Sequence, residues 1–144
     1  MPSTAESDIG KIESELYRHL TEKPDITYKE FEGVIQRIMT DHMATQRTKV
    51  GMETALKKLN SLAEVTPRLG ARNTHELMRV SESKNIYSMS RIMTATALFR
   101  EESRFGLFHN RLDYPKTREE WTGQVVIEKG DDLHAKLEFV PLHY

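Results

Sequence analysis

Apolar residues recur at helical spacing through most of the chain and alternate near its end. In DIGKIESELYRHL, Ile9, Ile12, Leu16 and Leu20 fall three or four apart among polar neighbours. That spacing predicts an amphipathic helix, which Pro24 ends. Thr27, with Glu30 three residues on, fits a capping box that opens YKEFEGVIQRIMTDHM. Phe31, Val34, Ile35, Ile38 and Met39 form its stripe, and Gly33 inside it costs about 1 kcal/mol relative to alanine. A third helix is read from TKVGMETALKKLNSLAEV. Met52, Ala55, Leu56, Leu59, Leu62 and Ala63 share one face, and Lys57 and Lys58 lie opposite. Pro67 and Gly70 break this pattern. Asn73 with Glu76 gives a second capping box before a long helix from about Thr74 to Ser103, roughly 45 Å at the usual rise. Its apolar positions include Leu77, Ile86, Met89, Ile92, Met93, Thr96 and Phe99, and SESKN marks an expected irregularity. The methionine-bearing faces read as core.

After Pro115 the period changes. GQVVIEK is rich in β-branched residues, GDD reads as a turn, and LHAKLEFVPL alternates Leu133, Ala135, Leu137 and Phe139 with polar partners. This predicts a β-hairpin. A lone hairpin is marginal in water, so it must pack on the helices, on another domain, or on both. The expected fold is mainly α: an antiparallel three- to four-helix bundle, spectrin-repeat-like, with a C-terminal β-hairpin. Residues 1–144 form a single domain, with the bundle over 8–103, a polar and aromatic connector over 104–121 and the hairpin over 122–144.

Composition narrows the function classes. The 144 residues suit one domain, and a net charge of −1 offers no concentrated basic face for nucleic acid. The absence of cysteine excludes disulfides, thiol nucleophiles and iron–sulfur ligation within this chain, and favours a cytoplasmic setting. No apolar run reaches the ~20 residues that span a bilayer, so no membrane insertion is expected. MPSTAESDIGK has neither the basic nor the apolar part of a signal peptide.

Chemistry is sparse. The histidines His19, His42, His75, His109, His134 and His143 have no helical metal-ligand spacing. The glycines are scattered, with no G-x-G-x-x-G, and no serine sits in a nucleophile elbow. Glu101-Glu102 and Asp131-Asp132 read as a solvated helix end and a turn, since neighbouring carboxylates on a helix diverge. Phe105, Phe108, Tyr114 and Trp121 read as residues that pin a connector, with stacking on a ligand as the other possibility. No catalytic, cofactor-binding or metal residue is expected in this chain.

One stretch carries more. REESRFGLFHNRLDYP followed by TREEW closely resembles a motif near the C-terminus of the succinate dehydrogenase/fumarate reductase flavoprotein family. The matching residues are Arg100, Glu102, Ser103, Arg104, His109, Arg111, Asp113, Tyr114, Pro115 and Trp121. The wide spacing from Arg104 to Arg111, with Phe105 after Ser-Arg, is similar to the adenylylsulfate-reductase-like and fumarate-reductase-like branch. YKEFEGVIQRIMTDHMATQRTKVGMETALKKL and HELMRVSESKNIYSMSRIMTATALFREESR resemble the family's preceding helices, so the likeness covers nearly the whole chain. It implies the family's C-terminal helical domain. The FAD-binding and capping domains, which hold the cofactor and the catalytic residues in this family, precede that domain and have no counterpart here. The resemblance therefore implies FAD in a parent flavoprotein, none in this chain. It also implies a partner in an FAD-binding domain of the same or a separate chain, and admits an iron–sulfur subunit.

Three functional readings result. The first is the C-terminal domain of an FAD-dependent oxidoreductase, packed against and stabilising the FAD-binding domain. In it Arg100, Glu102, Arg104, His109, Arg111, Asp113 and Tyr114 form a docking surface, or else pin this domain's own connector. The second is a stand-alone, non-enzymatic helical interaction module. The third is a small enzyme using His109 as base, for which no second oriented group is visible.

Overall fold

The computed structural model describes residues 3–104, 106, 109–128 and 136–142. In chain order it has α1 (Ser3–Tyr17), α2 (Tyr28–His42), the short strand β1 (Gln46–Arg47), α3 (Lys49–Ser61), α4 (Thr74–Phe99), β2 (Asn110–Arg111), β3 (Gly123–Glu128) and β4 (Lys136–Pro141). The expected helical bundle with a C-terminal hairpin is present. Short 3-10 turns at Leu62–Glu64 and Thr66–Arg68 tighten the link from α3 to α4, and a third lies at Glu119–Trp121.

The helix starts follow the sequence closely. Glu30 donates its amide to Thr27 Oγ1 at 3.4 Å, and the Thr27 amide donates to Glu30 Oε2 at 2.8 Å, which completes the capping box. Asn73 Oδ1 accepts from the Glu76 amide at 2.9 Å, but the Glu76 carboxylate turns back to the Arg72 amide instead of that of Asn73. Thr48 caps α3 through the Gly51 amide at 3.1 Å.

The core lies among α2, α3 and α4. Phe31, Ile35 and Ile38 from α2 meet Met52, Ala55 and Leu59 from α3 and Leu77, Val80, Tyr87 and Ala97 from α4, with Leu69 and Ala71 closing one side. The long helix departs from its expected form in three ways. It ends at Phe99 instead of Ser103, it runs unbroken through SESKN, and its inward face is different. The large apolar residues expected in the core point outward: Ile86, Met89 and Met93 are 43%, 54% and 51% exposed. Leu77 is buried as expected, and the buried face further carries Val80, Ser83, Tyr87, Ser90, Thr94 and Ala97. Small residues let α2 and α3 approach closely. Their hydroxyls need no water, because Thr94 Oγ1 donates to the Ser90 carbonyl at 2.7 Å and Ser83 Oγ reaches Glu32 Oε1 at 2.7 Å. The stripe expected to bury α1 is likewise outside, with Ile9, Ile12 and Leu16 all exposed.

Two pairings fasten the C-terminal segment. β1 and β2 run parallel, Gln46 opposite Asn110 and Arg47 opposite Arg111, which brings the connector against the link from α2 to α3. β3 and β4 are antiparallel, with Val125 opposite Phe139 and Ile127 opposite Leu137. These four are half-buried positions of the hairpin. The edge of Trp121 bridges Phe99 and Phe139, at ring-centroid distances of 5.7 and 5.0 Å, and so ties the end of α4 to the hairpin. The expected turn at Asp131-Asp132, together with Leu133, His134, Ala135, His143, Phe105 and Phe108, lies outside the described residues.

Gly123 has no room for a side chain: a Cβ there would stand 2.3 Å from the Val140 carbonyl and 2.5 Å from the Phe139 ring. Gly123→Ala is expected to displace β4 and expose Trp121, read as a red shift of tryptophan emission, while helical circular dichroism is retained.

Candidate functional site

The connector begins where α4 stops. Arg100 leaves the helical conformation, with φ −78° and ψ 107°, and its guanidinium folds back on the chain. It donates to the Trp121 carbonyl at 3.0 Å and the Gly123 carbonyl at 2.8 Å, pairs with Glu102, and lies 5.7 Å from the Trp121 ring centroid. Glu102 is wholly buried. Its carboxylate accepts from Arg100, from Arg104 Nε at 2.7 Å and Nη2 at 3.0 Å, and from the Arg118 amide at 3.0 Å. Burial pushes the Glu102 carboxyl upward, but the bonds from Arg104, the Arg118 amide and Arg100 outweigh it and hold the group below its ordinary value.

A second knot closes the helix end. Arg111 is also wholly buried. Its Nη1 lies 3.0 Å from the Ala97 carbonyl, 3.1 Å from that of Leu98 and 3.0 Å from that of Arg100, three acceptors that α4 leaves without amide partners. Nε and Nη2 donate side by side to Asp113, at 2.9 and 2.5 Å, and the guanidinium lies 5.0 Å from the Tyr114 ring centroid. Asp113 in turn accepts from the Lys49 amide at 3.2 Å, at the first turn of α3. The Arg111 bonds, chiefly, hold the Asp113 carboxyl below the usual range against the opposing effect of burial. Ser103 Oγ receives the Arg111 amide at 2.7 Å, and Thr117 Oγ1 donates to the Ser103 carbonyl at 2.8 Å. Between the knots, Arg104 and His109 pair across a turn in which Gly106 takes φ 57°, a conformation that favours glycine.

The structure thus gathers all seven connector residues singled out in the sequence, but it turns their polar atoms mostly inward. Glu102 and Arg111 have no exposed surface. The hydroxyl of Tyr114 bonds to Glu101, which raises its ionisation above the ordinary tyrosine value. His109 Nε2 lies 3.2 Å from the Arg100 carbonyl, so this nitrogen carries the proton. Burial first, then the charges of Arg47, Arg111 and Arg100, hold the ring below the ordinary histidine value against the carbonyl bond. The charges named on it among the described residues are those of Arg47, Arg111 and Arg100. Lys49, Thr117 and the Arg118 amide belong to the same knots, yet no sequence pattern pointed to them; Ser103 was in the motif without an assigned role. Their parts are played by backbone groups or common hydroxyls.

The site does not fit a flavin. The arginines are engaged with Glu102, Asp113 and backbone carbonyls, and the sequence has no glycine-rich loop between a strand and a helix to cradle a pyrophosphate. Among the described residues no group of acidic and histidine side chains is placed to hold a metal ion.

A helical bundle whose charged connector is folded on itself defines a structural domain. The family described as the fumarate reductase flavoprotein C-terminus matches residues 33–144, and the chain belongs to it. An uncharacterised FAD-dependent oxidoreductase of Methanocaldococcus jannaschii is 28% identical over 135 residues, 94% of this chain but 24% of that protein. One component of the CoM/CoB fumarate reductase of Methanothermobacter marburgensis is 28% identical over 105 residues, 69% of this chain and 19% of that protein. In fold, the chain is similar to adenylylsulfate reductase of Archaeoglobus fulgidus, with a TM-score of 0.88 at 22% identity over 96% of this chain and 25% of that one. The chain therefore spans about a quarter of the length of such relatives.

Removing one partner of a buried, fully bonded ion cluster strands the others. Glu102→Ala is expected to cost about 3 kcal/mol or more, seen as a lower urea midpoint, because Arg100 and Arg104 lose their acid. Acid should act at the second knot. The folded Asp113 carboxyl is depressed, so its contribution is complete above the ordinary value of 3.8 and is lost as pH falls through the folded value. Asp113→Asn is expected to lower stability at neutral pH and to flatten its fall below about pH 4.

Proposed function

We propose that this domain packs against an FAD-binding domain, on the same or a separate chain, and stabilises it within an oxidoreductase of the succinate dehydrogenase/fumarate reductase type. The flavin and the reacting groups then belong to that other domain, and the substrate is a dicarboxylate or a related small acid. The observation that carries this reading is the position of the large apolar side chains. Ile86, Met89 and Met93 line one outward face of α4, and Ile9, Ile12 and Leu16 line one of α1. Single exposed apolar residues are ordinary, but aligned sets at helical spacing mark surfaces meant to be covered. The occupant is inferred from length: this domain makes up 24% of the M. jannaschii protein, and that protein is named for FAD.

The connector contributes to docking through the shape it imposes, with His109 and Tyr114 supplying its partly exposed surface. The assembly so formed is cytoplasmic, and an iron–sulfur subunit can be added to it. Among the described residues no helix is long and apolar enough to cross a membrane.

The test is retention of a flavin domain. Reading the gene upstream of the Met1 codon shows whether that domain is encoded in frame or separately. The two parts are then co-expressed and purified through the 144-residue chain. Co-purification of flavin absorbance is the expected result, and a colourless preparation with the flavin domain left behind would overturn it. Met89→Glu is expected to abolish retention while shifting the chain's own stability by no more than about 0.5 kcal/mol, since Met89 is exposed.

A further inference from the structure

His19 is the one buried residue between Asp8 and Lys23. It follows α1 directly, and it is held on both ring nitrogens. Nδ1 lies 2.7 Å from the Leu69 carbonyl, and Nε2 lies 2.9 Å from Lys84 Nζ on α4. A carbonyl only accepts, so Nδ1 carries the proton. Nε2 is then the bare nitrogen, and it accepts from the Lys84 ammonium. The backbone closes the same junction: the Ala71 amide donates to the His19 carbonyl and the Thr21 amide to the Ala71 carbonyl, both at 2.8 Å.

We propose that His19 and Lys84 form a proton-operated latch that holds α1 on the bundle at neutral pH and releases it on acidification. A proton added to the ring goes to Nε2, the only free position. The imidazolium then presents an N–H and a positive charge to an ammonium at hydrogen-bond distance. Two donors and two cations replace one donor, one acceptor and one cation. Among the described residues the other charges acting at the junction are Arg18, just after α1, and Glu15, in its last turn. Arg18 opposes protonation and Glu15 favours it, while the loop supplies the Leu69 carbonyl. Burial, with Lys84 and Arg18, holds His19 below its ordinary value against the Leu69 bond and Glu15. Burial and Arg18 likewise lower Lys84.

The sign follows from linkage. The released state takes up its proton near the ordinary histidine value of 6.5, and the latched state only at lower pH. Attachment is therefore complete above 6.5 and weakens as pH falls from there towards the latched value. Ile9 and Ile12 are 62% and 68% exposed, so the apolar burial of the described part of α1 is concentrated at Leu16 and Tyr17, next to this junction.

Amide hydrogen exchange of the 144-residue chain tests this. Thr21 and Ala71 report the junction, and Ile38 in α2 reports the core. Between about pH 7.5 and about pH 5, after correction for intrinsic exchange, protection at Thr21 and Ala71 should fall relative to Ile38. The slope should approach about tenfold per pH unit, that of a single proton taken up on opening. Lys84→Met should flatten the slope, and His19→Gln, which keeps one donor and one acceptor but cannot titrate, should abolish it. If Lys84 simply swings into solvent, His19 will titrate by nitrogen NMR while both amides keep their protection, and the latch is refuted. A full slope retained in Lys84→Met refutes it equally.

Discussion

The buried guanidinium of Arg111 is the joint on which the C-terminal half depends. A helix end carries partial negative charge on carbonyls that have no amide partner, and a helix start carries the opposite charge. Arg111 sits on three carbonyls at the end of α4, and Asp113 sits on the first-turn amide of α3. The two side chains bond to each other in parallel. One ion pair thus satisfies the ends of two helices, and it fixes where α4 stops. With Arg111 in place, the next turn of helix would have to displace the guanidinium from the Ala97 and Leu98 carbonyls. The chain turns out at Arg100 instead, and the connector follows.

That geometry fills the hydrogen-bonding positions of the buried Glu102 and Arg111. Burying a charge is costly unless each of its hydrogen-bonding positions is filled. The Glu102 carboxylate meets donors from two arginines and a backbone amide, and Arg111 meets three carbonyls and a bidentate carboxylate. Groups so fully engaged cannot accept a substrate proton or hold a phosphate without first giving up a partner. Such clusters contribute little net stability against an apolar alternative, but they admit few other arrangements. Their contribution is register: the end of α4, the start of α3 and the hairpin are set relative to one another.

Legibility in the sequence followed the range of each interaction. The capping box at Thr27 and Glu30 was readable because its partners are three residues apart. The hairpin was readable because alternation is local, and its inner residues Leu137 and Phe139 stand where the pattern put them. The motif around Arg100–Tyr114 singled out residues that the fold brings together, whereas their partners were hidden, since the Lys49 amide is 64 residues from Asp113. The inward face of α4 was misread for a physical reason. Hydrophobicity favoured Ile86, Met89 and Met93, while close packing against two helices required Ser83, Ser90 and Thr94; the hydroxyls of Ser83 and Thr94 find carbonyl acceptors one turn back. His19 escaped notice because a lone histidine beside a helix end has no pattern at all.

The misreading of α4 is itself informative. A domain built only to be stable by itself would turn its isoleucines and methionines inward and leave serine and threonine to the solvent. Here Ser83, Ser90 and Thr94 share the interior of α4 with Leu77, Val80 and Tyr87, while Ile86, Met89 and Met93 face out. In α1 the apolar residues Ile9, Ile12 and Leu16 are likewise exposed, and the buried His19 follows directly. Small inward residues bring the three core helices close and leave the outer faces free to bury area elsewhere. Since burial stabilises at about 25 cal/mol per Å² of apolar surface, those faces hold a reserve of free energy that only a covering partner can release. The core fixes the shape of the domain, the ion pairs fix its register, and the exposed faces of α1 and α4 are where the proposed neighbouring domain would gain by binding.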